Sequence, residues 1–235
     1  MAITLRNVKG SELTHNELDQ NFIDLRDGVD LMIPKDAGKG IKVDSEGTPT
    51  FPWHDLLGPL HSHYGEANAA QSAAFIGTIP AIQFHAENKE AHVNFHLPHD
   101  YVPGTDLYIH VHWAHNSATV TGGSVTWSFE YTYAKGFDQA AFSSPKTLSI
   151  TQDASTTQYQ HMVAETSLSV SGGSATQLDT DEIETDSVIQ CRLYLNSNDI
   201  TDSVTQPWPF AFFVDIHYQS ATVGTKNKAP SFHGA

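Results

Sequence analysis

Four stretches of this chain alternate apolar and polar residues one by one, and this period of two constrains the fold more than any other feature. In Asp106–His115, Leu107, Ile109, Val111 and Trp113 fall on one side, and Tyr108, His110 and His112 on the other. Ser124–Tyr133 repeats the pattern, with Val125, Trp127, Phe129, Tyr131 and Tyr133 in phase. Ser187–Leu195 and Phe210–Tyr218 are two more, the last placing Val214, Ile216 and Tyr218 on one face. Successive side chains of an extended strand point to opposite faces, so each stretch reads as a strand with one side buried. Shorter candidates are Ile79–Phe84, His92–Leu97, Lys146–Thr151 and His161–Val170, with turns at Gly104, Gly122-Gly123, Gly136 and Gly172-Gly173. No long helical period interrupts them. The pattern predicts a mainly β chain, with an antiparallel, jelly-roll-like β-sandwich over residues 79–235.

The segment ahead of the sandwich reads differently. Thr14 and Glu17 have capping-box spacing, and Leu18, Phe22 and Leu25 follow at i, i+4 and i+7, so residues 1–30 predict a short N-terminal helix ending near Gly28. A helix of about three turns is marginal alone in water, so its apolar stripe requires a surface to bury against. Residues 31–78 read as an extended arm. Pro34, Gly38, Gly40, Gly47, Pro49, Pro52, Gly58 and Pro59 punctuate its first half. The apolar residues Phe51, Trp53, Leu56 and Leu57 predict an arm that lies along a surface.

Charge and cysteine content exclude several partners. Of 235 residues, 12 are Lys or Arg and 27 are Asp or Glu, giving a net charge of -15. This balance argues against nucleic acid, whose phosphates call for a basic stripe, and against an anionic membrane surface. No apolar run approaches the roughly 20 residues a membrane span needs. The opening residues lack a secretory h-region, which predicts cytoplasmic synthesis. Cys191 is the lone cysteine, so neither an intramolecular disulfide nor a Cys-rich zinc site is expected. Its apolar strand context reads as a buried, inert thiol.

The chain carries 14 histidines. His110 and His112 fall on one strand face about 6.5–7 Å apart, a spacing that metal ligands use. His92, His96, His99 and His115 are near in sequence, and His217 lies on a late strand. Gly104, His110-Val111-His112 and Gly123 resemble most of the first motif of the cupin family, whose jelly roll binds a metal. Asn116 stands where that motif has glutamate, and no second histidine motif follows. Hydrogen-bonded histidines at a sheet surface or subunit interface, or a non-catalytic metal held by His110 and His112, fit the same residues. The acidic run Asp179, Asp181, Glu182, Glu184, Asp186 reads as a solvated edge, with a calcium-attracting loop as its alternative. Trp127, Tyr131, Tyr133 and Tyr159 could stack on a sugar, although aromatic alternation in a strand is more often core. No nucleophile elbow, P-loop or dinucleotide fingerprint is present, and no cofactor is expected.

The string Ile3 to Phe22, with Leu13-Thr14, Glu17, Asp19, Asn21-Phe22 and then Leu25, resembles the opening of tailed-bacteriophage tail-fibre and tail proteins. The segments Trp53–Gly58, His99–Asp106, Tyr133–Gly136 and Val214–Gln219 are similar to virion-associated proteins of marine and cyanobacterial phages. The resemblance implies a non-enzymatic virion structural protein, assembled in the host cytoplasm as a homotrimer. It implies a short tail fibre or spike in which Leu13, Thr14, Glu17, Leu18, Phe22 and Leu25 anchor to other virion proteins. A host-surface glycan or protein is the implied distal partner. A capsid decoration or head-fibre protein has the same build, and a metal-dependent cupin-like enzyme is a further alternative.

Overall fold

The computed structural model describes residues 42–43, 49–63, 65–136 and 138–221. The expected N-terminal helix and its anchor residues Leu13, Thr14, Glu17, Leu18, Phe22 and Leu25 lie outside them. The chain divides into two units, Asp55–Gln219 and residues 1–54 with 220–235. In the second, β1 (Lys42–Val43) pairs antiparallel with β2 (Pro49–Thr50), and the Ser220 amide donates to the Pro52 carbonyl at 2.9 Å.

The unit Asp55–Gln219 is an antiparallel, jelly-roll-like β-sandwich. In chain order its strands are β3 (Trp53–Pro59, entering the unit at Asp55), β4 (Gln71–Ile76), β5 (Ile79–Gln83), β6 (Glu90–His96), β7 (Tyr108–Ala114) and β8 (Val120–Gly122). They continue with β9 (Ser124–Ala134), β10 (Lys146–Asp153), β11 (Met162–Ser167), β12 (Ser169–Val170), β13 (Leu178–Asp179), β14 (Val188–Asn198), β15 (Thr201–Asp202) and β16 (Phe210–Gln219). One sheet has the order β10-β9-β14-β6. The other has the order β11-β7-β16-β5-β4, with β3 also paired to β16. β5 meets β16 only at Phe210 and Ala211. The short pairs β12-β13 and β8-β15 lie apart from the main ladders.

The alternation read from the sequence is the alternation of the core. Ile109, Val111 and Trp113 of β7 and Val214, Ile216 and Tyr218 of β16 face Val125, Trp127, Phe129 and Tyr131 of β9 and Leu193 and Leu195 of β14. Trp113 and Trp127 meet across the layer with ring centroids 6.1 Å apart, and Phe84 stands edge-on to Trp127 at 5.0 Å. Cys191 is buried among these side chains, and burial pushes its thiol well above the ordinary range.

The reading of residues 31–78 as an extended arm needs correction from Asp55 onward, because β3 and β4 are sheet strands. Leu56 and Leu60 pack on the core, and Gly58 lies so close to the facing sheet that a Cβ there would stand 2.3 Å from Val93 Cγ2 and 2.4 Å from Phe95 Cε1. Gly58, one of the residues that suggested an irregular arm, instead lets a strand approach β6. Beyond β3 the chain crosses to β6. The amides of His61 and His92 donate to each other's carbonyls at 2.8 Å, and the Ala70 amide donates to Glu90 at 2.9 Å.

Val93 and Phe95 are themselves buried and have no room to retreat. Gly58→Ala is therefore expected to lower the unfolding free energy by about 2–3 kcal/mol in urea titrations. An unchanged midpoint would mean that β3 does not pack in the sandwich.

Candidate functional site

The same alternation that fills the core sends a second set of side chains to the opposite face of the six-stranded sheet. On β7 these are His110 and His112. Register places Glu165 of β11 on one side of His110 and Asp215 of β16 on the other. His217, two residues beyond Asp215, shares this face, and Asp55 of β3 reaches it.

An irregularity in β16 decides which residues arrive there. Ala211 pairs with Trp113, but Phe213 rather than Phe212 pairs with His112, so one residue is extra. Without this bulge, Val214 would stand beside His110 and Asp215 would enter the apolar core. The bulge restores the phase, putting Val214 and Ile216 inside and Asp215 and His217 outside. It also gathers aromatic rings beside the cluster. Phe75 lies 5.2 Å from Phe210 and 5.1 Å from Phe212, and Phe213 lies 4.3 Å from the His112 ring.

The result is a buried polar cluster on an outer sheet face. The His110 side chain is 2% exposed and that of Asp215 8%. The His217 ring is 4.2 Å from that of His110, and the His112 ring 4.7 Å. His217 Nδ1–H donates to Glu165 Oε2 at 2.7 Å, and Nε2–H donates to Asp55 Oδ1 at 2.8 Å. An imidazole that donates from both nitrogens is an imidazolium. Burial pulls its pKa down, but the hydrogen bonds and charges of Asp55 and Glu165 outweigh this and push it up to about 9. The His217 hydrogen bond, opposed by burial, holds Asp55 below the usual carboxylate range.

His110 behaves oppositely. Burial depresses it, Asp215 partly opposes this, and the neighbouring His217 and His112 add to the depression, so it is neutral at pH 7. Burial also lowers His161, which stacks on His112 with ring centroids 4.8 Å apart and bridges His112 Nδ1 through Nε2 at 2.7 Å. Burial works against the Asp215 charge, but His110 and His112 outweigh it and hold the carboxyl below its ordinary range.

Of the residues singled out in the sequence, His110, His112 and His217 converge. His96 pairs with Asp186 at 2.7 Å, His115 bonds the Ser155 carbonyl at 2.7 Å, and His92 packs edge-on to His63. His110 and His112 point away from the sandwich interior, where Ile109, Val111 and Trp113 fill the space. A cupin-like metal site inside the jelly roll is therefore not formed by these residues. Trp127, Tyr131 and Tyr133 are buried, so they and Tyr159 form no exposed sugar platform. In the acidic run, Lys135 spans Glu182 and Glu184 at 2.8 and 3.2 Å, and Asp179 caps the short 3-10 turn Thr180–Glu182. Sequence reasoning missed Asp55, His161, Glu165 and Asp215. A carboxylate between inward apolar residues, as in Val214-Asp215-Ile216, was the available signal.

No family model and no curated protein matches the chain. Among solved structures, a xylan-binding module of type CBM15 aligns over 73% of this chain and 100% of its own, with 9% identity and a TM-score of 0.35. The CBM22-1–GH10 modules of Clostridium thermocellum xylanase 10B, complexed with xylohexaose, align over 74% of this chain but 30% of their own, with 11% identity and a TM-score of 0.29. TmCBM61, solved with β-1,4-galactotriose, aligns over 72% of this chain and 89% of its own, with 8% identity and a TM-score of 0.25. Scores this low do not establish a common topology.

The pairing of His217 has a pH signature. A group whose pKa is raised on folding, here from 6.5 to about 9, contributes stability in full below about 6.5 and loses it as pH rises through 9. In chelator-treated protein, NMR titration of the His217 ring is expected to give a midpoint near 9. With Asp55→Asn and Glu165→Gln combined, the midpoint is expected to fall below the ordinary histidine value, because burial then acts unopposed.

Proposed function

We propose that this chain is a bacteriophage virion structural protein, a short tail fibre or spike without enzymatic activity. In this reading residues 1–30 attach it to the particle and the sandwich contacts the host surface, through a glycan or a protein. The observation that carries it is the string Leu13-Thr14, Glu17, Asp19, Asn21-Phe22, Leu25 ahead of a β-sandwich with its own closed core. Two physical features support it. The stripe Leu18, Phe22, Leu25 predicts, from sequence spacing, a helix of about three turns, which would need the particle or sister chains to cover it. The sandwich buries a full set of aromatic residues within Asp55–Gln219, as a domain presented away from its attachment point must. A homotrimer would bury the stripe three-fold and stabilise a chain that has no disulfide.

Native mass spectrometry of the full chain is expected to give a trimer, and deletion of residues 2–30 a monomer that no longer joins particles. Gold-labelled antibody is expected at the tail. Label over the head at high copy number would point to capsid decoration or a head fibre. Unlabelled particles, or particles that incorporate the truncated chain normally, would overturn the proposal.

A further inference from the structure

We propose that the outer face of β7 and β16 is a divalent-metal site whose ligands are His110 Nε2, His112 Nε2 and Asp215 Oδ2, with zinc the best-fitting ion. This site is independent of where the protein sits on a particle.

Distance is the first argument. Asp215 Oδ2 stands 3.5 Å from His110 Nε2 and 3.4 Å from His112 Nε2. These separations are longer than a good charge-assisted hydrogen bond, which closes to about 2.7–2.9 Å. They match ligand atoms around a tetrahedral ion. With zinc about 2.0–2.1 Å from each ligand, the ligands lie about 3.3–3.4 Å apart. The three ligand atoms all lie within 4.8 Å of one another.

Unmet bonding is the second argument. His110 Nδ1, His112 Nε2 and Asp215 Oδ1 are buried atoms without a hydrogen-bond partner. Three such atoms in one cluster are costly unless something else satisfies the group. A cation held by Asp215 Oδ2 and the two Nε2 lone pairs would directly satisfy one of them, His112 Nε2. A neighbouring residue suits that tautomer of His112. His112 Nδ1–H can donate to His161 Nε2 at 2.7 Å, leaving Nε2 as a lone pair. His110 Nδ1 stands 4.0 Å from Glu165 Oε2, beyond hydrogen-bond reach.

Charge is the third. Asp55 and Glu165 are taken up by the two nitrogens of His217, so Asp215 is the carboxylate that faces the His110 and His112 Nε2 atoms, and its negative charge favours a cation there. A competing triad of His110, Glu165 and His217 fits less well, because both His217 nitrogens already donate, to Glu165 and to Asp55.

The test uses the full chain, stripped with chelator and titrated with cobalt(II), whose visible bands report tetrahedral coordination, followed by zinc competition. One ion per chain is expected. His110→Ala and Asp215→Asn should each weaken binding about 100-fold or more, and His161→Ala about 10-fold. The His96→Ala/His99→Ala double variant should bind as wild type. The proposal is overturned if the wild-type chain takes up no stoichiometric metal, if folded Asp215→Asn binds normally, or if Glu165→Gln abolishes binding while Asp215→Asn does not. If His110→Ala does not fold, histidine ring NMR of the intact chain decides. Zinc-induced shifts at His110, His112 and His161 support the site, and shifts centred on His96 and His99 overturn it.

Discussion

Trp113 and Trp127 meet across the interior of the sandwich, and the phase of both strands follows from that contact. Side chains alternate strictly along a strand, so fixing one inward residue fixes all the others, and a slip by one residue would turn the whole set over. With Trp113 inside, Ile109 and Val111 are inside too, and His110 and His112 are outside. The chemistry on the outer face is thus a consequence of core packing. Any sequence that kept Trp113 against Trp127 would present positions 110 and 112 on that face.

The sandwich also has to protect its edges, because an unpaired strand edge is a template for aggregation. At one side, Gln152 of β10 accepts from Trp113 Nε1 at 2.6 Å and donates to the Val163 carbonyl of β11 at 2.8 Å, joining edge strands of the two sheets. At the other, the segment after β3 pairs with β6 through His61 and His92. Gly58 makes this second closure possible, since a side chain there would collide with Val93 and Phe95.

The outer cluster holds several titratable groups at close quarters, and they sort into different states. His217 lies between two carboxylates and is charged. His110, buried between Asp215 and two other histidines, is neutral. A pKa raised at His217 and lowered at His110, with the two rings 4.2 Å apart, makes the cluster electrostatically asymmetric. The pairing of His217 uses Glu165 and Asp55, which leaves Asp215 facing His110 and His112. This division of partners distinguishes the region from a sheet surface on which every histidine has found its own hydrogen bond, as His96 and His115 have.

Much of the fold was legible in the sequence, because period-two alternation is a local property of the chain. The strands over β7, β9, β14 and β16 follow directly from it, as does the common face of His110 and His112. β3 and β4 were not legible, because Gly58, Pro59 and the small residues Ser72, Ala73 and Ala74 carry no alternation, and these segments become strands only against β16, β5 and the facing sheet. The candidate site was half legible. That His110 and His112 share a face is a matter of spacing along one strand, whereas their meeting with Asp215, Glu165 and Asp55 depends on pairing between distant strands. The bulge in β16 shows this most directly. Unbroken alternation puts Phe210, Phe212 and Val214 on one face, yet Ala211 and Val214 are the residues in the core. The sequence by itself determined a two-layer β fold and a histidine pair on one strand. The tertiary structure decided which carboxylates surround that pair, because register and a one-residue bulge are set by packing across the whole sandwich.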